Sequence, residues 1–177
     1  MQAKLKSKFK ACRLLATDVD GVLTDGRITY TSDGAELKSF NIQDGLGIKL
    51  LQNAGIEIAI ITGRTSPMVE RRAAELGIKH LIQGREDKLT ALSTLCEELK
   101  IPLEQSIYVG DDLPDLKAIL SAGVGCTPAD ANRHVKAKAD YCCTLAGGYG
   151  AIREICELTL EAKGLLTEAL EQYGYSD

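Results

Sequence analysis

The 177-residue chain lacks the features that would direct it to a membrane, to nucleic acid or to a disulfide scaffold. No apolar run reaches the roughly 20 residues of a membrane-spanning helix, so no membrane is expected. The basic stretch Met1 to Lys10 is followed by an apolar segment that Arg13 interrupts, which is too short for a secretory leader. No basic block exists: 21 Lys and Arg against 25 Asp and Glu give a net charge of −4, and a nucleic-acid surface is not expected. Six cysteines (Cys12, Cys96, Cys126, Cys142, Cys143, Cys156) never form a CxxC pair or a Cys/His metal spacing. Reduced thiols in a cytoplasmic protein are the expectation. Internal repeats and low-complexity tracts are missing too, and the length suits one domain, 1–177, with a single core.

Apolar, β-branched runs recur between helical patterns: 13–20, 56–62, 80–83, 107–111, 124–126 and 141–144. Between them 45–54, 67–76, 88–99 and 113–122 read as helices, with Ser66-Pro67 as a start signal and Gly55, Gly77 and Gly123 marking ends. This alternation predicts an α/β fold, a Rossmann-like parallel sheet flanked by helices. Residues 27–42 break the pattern. Two alternating stretches around Ser32-Asp33-Gly34 predict an inserted β-hairpin there. Near the other end a helical stripe of Ile152, Ile155, Thr159, Ala162, Leu166, Leu170 and Tyr173 predicts one C-terminal helix from Ala151 to Gly174. It follows Ala146-Gly147-Gly148-Tyr149-Gly150, whose glycines suggest a mobile joint opening a tail, 146–177.

Chemistry gathers at the ends of the apolar runs. Leu14-Leu15-Ala16 leads into Asp18-Val19-Asp20, and a repeat of two sends both carboxylates to one side of a strand end, where open α/β sheets bind ligands. Two like charges there call for a cation, and hard Mg²⁺ suits oxygen ligands. Thr62 with Gly63 and the backbone donors after it can hold a phosphate oxygen, and Lys88 can neutralise charge on the same group. Asp111 can complete the metal's oxygen shell. Singly, Thr62, Asp112 and Asp115 have plainer readings as helix-start residues.

Taken in order, Asp18-x-Asp20, Thr62, Lys88 and Gly110-Asp111-Asp112-x-x-Asp115 resemble the four motifs of the haloacid dehalogenase-like phosphatase superfamily. The resemblance implies that Asp18 attacks phosphorus to give an aspartyl-phosphate and that Asp20 protonates the leaving oxygen, then activates water. It also implies Mg²⁺ on Asp18, Asp111 and the main-chain carbonyl of Asp20, with Asp112 and Asp115 in support. Members with a cap domain insert it after the first motif or between the second and third. Only 42 positions lead from Asp20 to Thr62 and 26 from Thr62 to Lys88, which leaves no room for one.

At finer scale the runs DVDGVLTDG (18–26), FNIQDGLGIKLL (40–51), IITGRTSPMVERRAAELGI (60–78), QGREDK (83–88), YVGDDLPD (108–115) and AGGYGAIREICELTL (146–160) look like the capless family of 3-deoxy-D-manno-octulosonate (KDO) 8-phosphate phosphatases. That likeness implies a phosphorylated keto sugar acid substrate in lipopolysaccharide biosynthesis and a homotetramer built on the hairpin. It also implies substrate contacts at Gly63, Arg64 and Arg72, and a closing role for the tail. Tyr149 stands where the family's tail carries a basic residue, so it would offer a ring and one hydroxyl instead of a fixed charge. Alternatives from the same residues are a phosphatase for a nine-carbon keto sugar acid 9-phosphate, phosphotransfer to an acceptor other than water, and a catalytically inactive binding subunit.

Overall fold

Leu14, Leu15, Ala16 and Thr17 form the first strand, β1, and all four are buried in the computed structural model, which describes residues 2–175. The last two residues of the expected tail fall outside that range. Period two sends Leu15 to one face of the sheet and Leu14 and Ala16 to the other, and each face carries its own apolar cluster. β1 lies between β4 (Glu57–Ile61) and β6 (Ser106–Val109), with β5 (His80–Ile82) outside β4 and β7 (Val124–Thr127) and β8 (Tyr141–Cys142) beyond β6. Every pairing in this six-stranded sheet is parallel. The α/β expectation is met.

Helices α1 (Ala3–Ala11), α2 (Ile42–Asn53), α3 (Pro67–Leu76) and α7 (Ala151–Lys163) cover the Leu15 face, while α4 (Lys88–Leu99) and α5 (Leu116–Ser121) cover the other. Two short helices, α6 (Arg133–Lys136) and α8 (Leu166–Glu171), complete the set. From β1 the chain winds outward to β4 and β5 and then returns to β1's other side as β6. That reversal opens a crevice at the carboxyl ends of β1 and β6, the place where such sheets receive ligands.

Several boundaries differ from the sequence reading. The inserted hairpin is present, but its ladder is only two residues a side, β2 (Thr29–Tyr30) against β3 (Glu36–Leu37). It yields early to α2, which starts at Ile42 instead of Gly45 because the Asn41 side chain accepts the Gln43 N–H at 2.8 Å. Residues 113–122 are not one helix: Leu113–Asp115 forms a 3₁₀ turn before α5. The C-terminal stripe likewise breaks at Gly164, whose φ of 72° ends α7 before α8 begins. Helix α1, unread in the sequence, buries Phe9 completely. Ser66 holds the cap position of α3, yet its side chain makes no cap bond.

At the expected joint, Gly147-Gly148, two backbone segments come into close approach. A Cβ on Gly147 would sit 1.9 Å from the Gly21 carbonyl oxygen, and the Gly148 N–H donates to the Val22 carbonyl at 2.9 Å. Glycine is needed here because the tail turn lies directly on the loop after β1. Helix α7 then starts at Ala151, after Gly150, without a capping side chain of its own. Asp44, buried on α2, accepts the Arg153 N–H at 2.8 Å and serves as the cap from outside the helix.

Candidate active site

The strand register sets the frame of the site. Thr17 pairs with both Ile60 and Val109, so the residues following β1, β4 and β6 emerge at one level. Asp18 follows β1 directly, its N–H donating to the Val109 carbonyl at 2.9 Å. Thr62 follows β4 and is 2% exposed, while Asp111 follows β6. The loop between Asp18 and Asp25 folds over Val19, whose carbonyl accepts the N–H groups of Val22, Leu23 and Thr24. Gly21 (φ 84°) lets that loop pass Asp111: a Cβ there would lie 2.2 Å from Asp111 Oδ2.

Lys88 opens α4 and reaches across to the first and fourth motifs. Its buried ammonium donates to Asp18 Oδ2 at 2.7 Å and to Asp115 Oδ1 at 2.6 Å. Asp115 is filled by donors on both sides. Oδ1 also accepts the Tyr108 hydroxyl at 2.9 Å, and Oδ2 accepts the N–H groups of Asp111 and Asp112 at 3.1 and 3.3 Å. Asp115 therefore fixes Lys88 and shapes the loop after β6. Asp112 caps that loop's 3₁₀ turn through the Leu113 N–H at 2.8 Å and faces solvent.

Negative charge exceeds what Lys88 can balance. Burial first, then the neighbouring Asp115, pushes the Asp18 carboxyl up to about 6 against the pull of Lys88. Asp111 is pushed up to about 7 by burial and by the charges of Asp115 and Asp18. Lys88, which burial alone would lower, is held above its ordinary range by the two carboxylates. One oxygen of Asp18, Oδ1, is buried with no hydrogen-bond partner. Oxygens of Asp18, Asp111 and Asp115 lie within 4.8 Å of one another. An orphaned carboxylate oxygen among hard donors carrying surplus charge fits Mg²⁺, with Asp18 and Asp111 as the natural ligands because Asp115 is already saturated.

Asp20 stands at the rim of this cluster with a side chain 23% exposed. Lys38 from the hairpin pairs with its Oδ1, and Arg64 Nε approaches its Oδ2 at 3.8 Å. The Arg64 Nη2 donates to Glu36 at 2.7 Å, so both Arg64 and the hairpin belong to the site. The Arg64 N–H lies 3.4 Å from the Thr62 hydroxyl across the Gly63 turn. Arg72 is placed elsewhere: it donates to the Asn41 carbonyl at 3.3 Å, lies 6.0 Å from the Phe40 ring centroid and pairs with Glu75. Among the described residues it makes no hydrogen bond or ion pair with Asp18, Asp20 or Asp111, although Asn41 in turn donates to the Gly148 carbonyl at 3.2 Å. Tyr149 is exposed and lines an open cavity of about 380 Å³ with Asp25, Phe40 and Asn41.

Lys38, Glu36, Tyr108 and Asp44 were not among the expected site residues. Glu36 and Lys38 flank Leu37, and their period-two spacing carried the signal that they share a face. Nothing local marks Tyr108 or Asp44, whose partners are brought together by the fold.

The family model for haloacid dehalogenase-like hydrolases matches residues 46–123. The chain is 48% identical over 172 residues to the 3-deoxy-D-manno-octulosonate 8-phosphate phosphatase KdsC of Escherichia coli K12, covering 97% of this chain and 92% of that one. The crystal structure of 3-deoxy-D-manno-octulosonate 8-phosphate phosphatase from Moraxella catarrhalis, in complex with magnesium, phosphate and KDO, is 48% identical with a TM-score of 0.96, covering 98% and 99% of the two chains. A cobalt-bound form of the Haemophilus influenzae phosphatase is 42% identical with a TM-score of 0.87, covering 90% and 94%.

Proposed function

The chain belongs to the haloacid dehalogenase-like hydrolases and, within them, to the 3-deoxy-D-manno-octulosonate 8-phosphate phosphatases, and from that membership we propose that it hydrolyses KDO 8-phosphate to KDO and inorganic phosphate. It is a magnesium-dependent phosphoric monoester hydrolase. The observation that carries the mechanism is the division of labour on Asp18: Lys88 ties down Oδ2, and Oδ1 is left buried without a partner.

Asp18 is the nucleophile. As a carboxylate oxygen bonds to phosphorus, the ester bond to the sugar's terminal oxygen breaks, and Asp20 delivers a proton to that departing oxygen. In the second half, Asp20 takes a proton from water, the new hydroxide attacks the aspartyl-phosphate, and Asp18 is released with inorganic phosphate. Lys88 and the Thr62 hydroxyl hold the equatorial phosphate oxygens, and Asp115 keeps Lys88 aimed. Mg²⁺, held by the carboxylates of Asp18 and Asp111 and the main-chain carbonyl of Asp20, supplies the charge neutralisation that lets a phosphate dianion approach a carboxylate. Arg64 at the rim offers a guanidinium to the sugar acid's carboxylate. Arg72, Gly63 and Tyr149 are assigned to the wider substrate pocket, Asn41 linking Arg72 to the tail turn.

The hairpin supports a homotetramer as the working state. Ile28, Tyr30 and Leu37 are each about half exposed or more on this two-stranded projection, an arrangement that favours packing against further copies. The six free thiols support work in the reducing cytoplasm, and the product sugar acid suits a step of lipopolysaccharide biosynthesis.

The test is phosphate release by the magnesium-loaded protein from KDO 8-phosphate beside a nine-carbon keto sugar acid 9-phosphate, with Asp18→Asn as control. Preference for the eight-carbon ester and a silent, folded variant are expected. Strong preference for the nine-carbon ester would overturn the substrate assignment, and near-parental turnover by Asp18→Asn would overturn the mechanism.

A further inference from the structure

Lys38 carries a buried ammonium at the edge of the catalytic cluster. Its side chain is 1% exposed although it belongs to a surface hairpin. A buried ammonium is costly unless paired. Here it is paired twice, with Asp20 Oδ1 and with Glu36 Oε1 at 3.4 Å. Glu36 Oε2 receives Arg64 Nη2 at 2.7 Å, and Arg64 Nε returns to Asp20 Oδ2 at 3.8 Å. Asp20, Lys38, Glu36 and Arg64 thus close a ring of two anions and two cations, drawn from the loop after β1, from the hairpin and from the turn after β4.

Resting on the phosphatase reading above, we propose that Lys38 is the positioning residue of the proton-transferring carboxylate: it clamps Asp20 Oδ1 to the hairpin and leaves Oδ2 as the oxygen that exchanges the proton with leaving group and water. Oδ2 is the freer of the two, since its cation lies 3.8 Å away, beyond hydrogen-bond reach. A proton donor misplaced by about 1 Å can lose on the order of 10²-fold in rate, so a clamp on the opposite oxygen is where positioning has most leverage. The clamp also ties the chemistry to the hairpin. Leu37 points outward, 53% exposed, while its neighbours Glu36 and Lys38 point inward, so whatever packs on the outer side fixes the inner one.

Leaving-group dependence separates this role from a merely structural one. A sugar alkoxide needs a proton to depart, whereas the nitrophenolate of p-nitrophenyl phosphate leaves without one, and kcat/KM reports the steps through that departure. In the magnesium-loaded protein, Lys38→Met should lower kcat/KM for KDO 8-phosphate about 10²-fold, within the range general acids supply, and for p-nitrophenyl phosphate less than about threefold. Lys38→Arg, which restores the cation, should recover about tenfold of the loss on the sugar ester. Equal losses on both esters would overturn the proposal, because they would make Lys38 a structural or phosphate-binding group. Should Lys38→Met fail to fold by circular dichroism, Glu36→Gln is read by the same ratio. A selective loss on the sugar ester supports the clamp, and an equal loss or none overturns it. A parent protein inert on both esters would sink the phosphatase reading itself.

Discussion

Removing magnesium should make this protein lose stability as pH rises, opposite to the usual behaviour of paired carboxylates. Asp18 and Asp111 have folded pKa values of about 6 and about 7 against an ordinary 3.8, so in this window the folded state holds protons that the unfolded chain has released. Raising the pH strips those protons and leaves like charges buried beside Asp115, so stability falls as pH passes the folded values. Between pH 5 and pH 8 roughly one unit of the Asp18 shift and two of the Asp111 shift are traversed. At about 1.4 kcal/mol per unit, with the Asp111 part halved for its partial exposure, the metal-free protein loses about 3 kcal/mol. For a chain of this length that is a fall of about 6–12 °C in Tm. Asp44, raised by burial, acts in the same sense. Carboxylates held low, such as Asp87 and Glu154, lose their contribution only below about pH 4.5 and stay out of the window. Thermal melts in chelator at pH 5 and 8, repeated with excess Mg²⁺, provide the assay. Magnesium should raise Tm more at pH 8, and Asp111→Asn should be more stable than the parent in chelator at pH 8 while responding little to metal. A chelated Tm that is level or rising from pH 5 to 8 would refute the charge-surplus argument.

Gly147→Ala must push its new methyl away from the Gly21 carbonyl, so it should cost about 1–3 kcal/mol in a thermal or denaturant melt and lower kcat by at least tenfold; a fully active, equally stable variant would mean that the tail turn moves freely. Asp115→Asn keeps the shape but loses the charge that receives Lys88 and Tyr108, and steady-state kinetics should show kcat down about tenfold or more with the protein folded. Unchanged kcat would remove Asp115 from the account of Lys88. Leu37→Lys on the outer side of the hairpin should weaken self-association in sedimentation velocity and reduce activity together. Full activity in a dissociated protein would separate the hairpin from the chemistry.

The tail turn and the catalytic loop form one mechanical unit. Gly147 abuts Gly21, Gly148 bonds Val22 and Asn41, and Asp44 caps the helix that follows. Residues 40–47 therefore serve two neighbours at once, since Asn41 starts α2 and holds the tail turn while Asp44 starts α7. A conformational change of the tail would have to break these bonds, and helix α7 beyond them is part of the core, with Ile152, Ile155, Cys156 and Leu160 fully buried.

Local chemistry made much of this protein legible. Leu14 to Ala16 had to be buried on both faces because nothing polar interrupts it, and Asp18 had to follow near the strand end. Pro67 and Gly77 punctuated α3 where their backbone preferences require it. Such signals depend on a residue and its near neighbours, so the order of motifs, the absence of room for a cap domain and the carboxylate pair were all readable. The hairpin's shortness, the start of α2 at Ile42 and the break at Gly164 were misjudged because a capping bond or a left-handed residue overrode a hydrophobic stripe. Contacts across the sequence were decided by the tertiary structure alone. Lys88 meets Asp18 from 70 positions away and Asp44 meets Arg153 from 109. Periodicity tells which face a side chain takes, never which partner waits there. The raised pKa values and the ring around Asp20 exist only because folding removes those groups from water together, and desolvation is a property of the packed assembly, not of any stretch of chain.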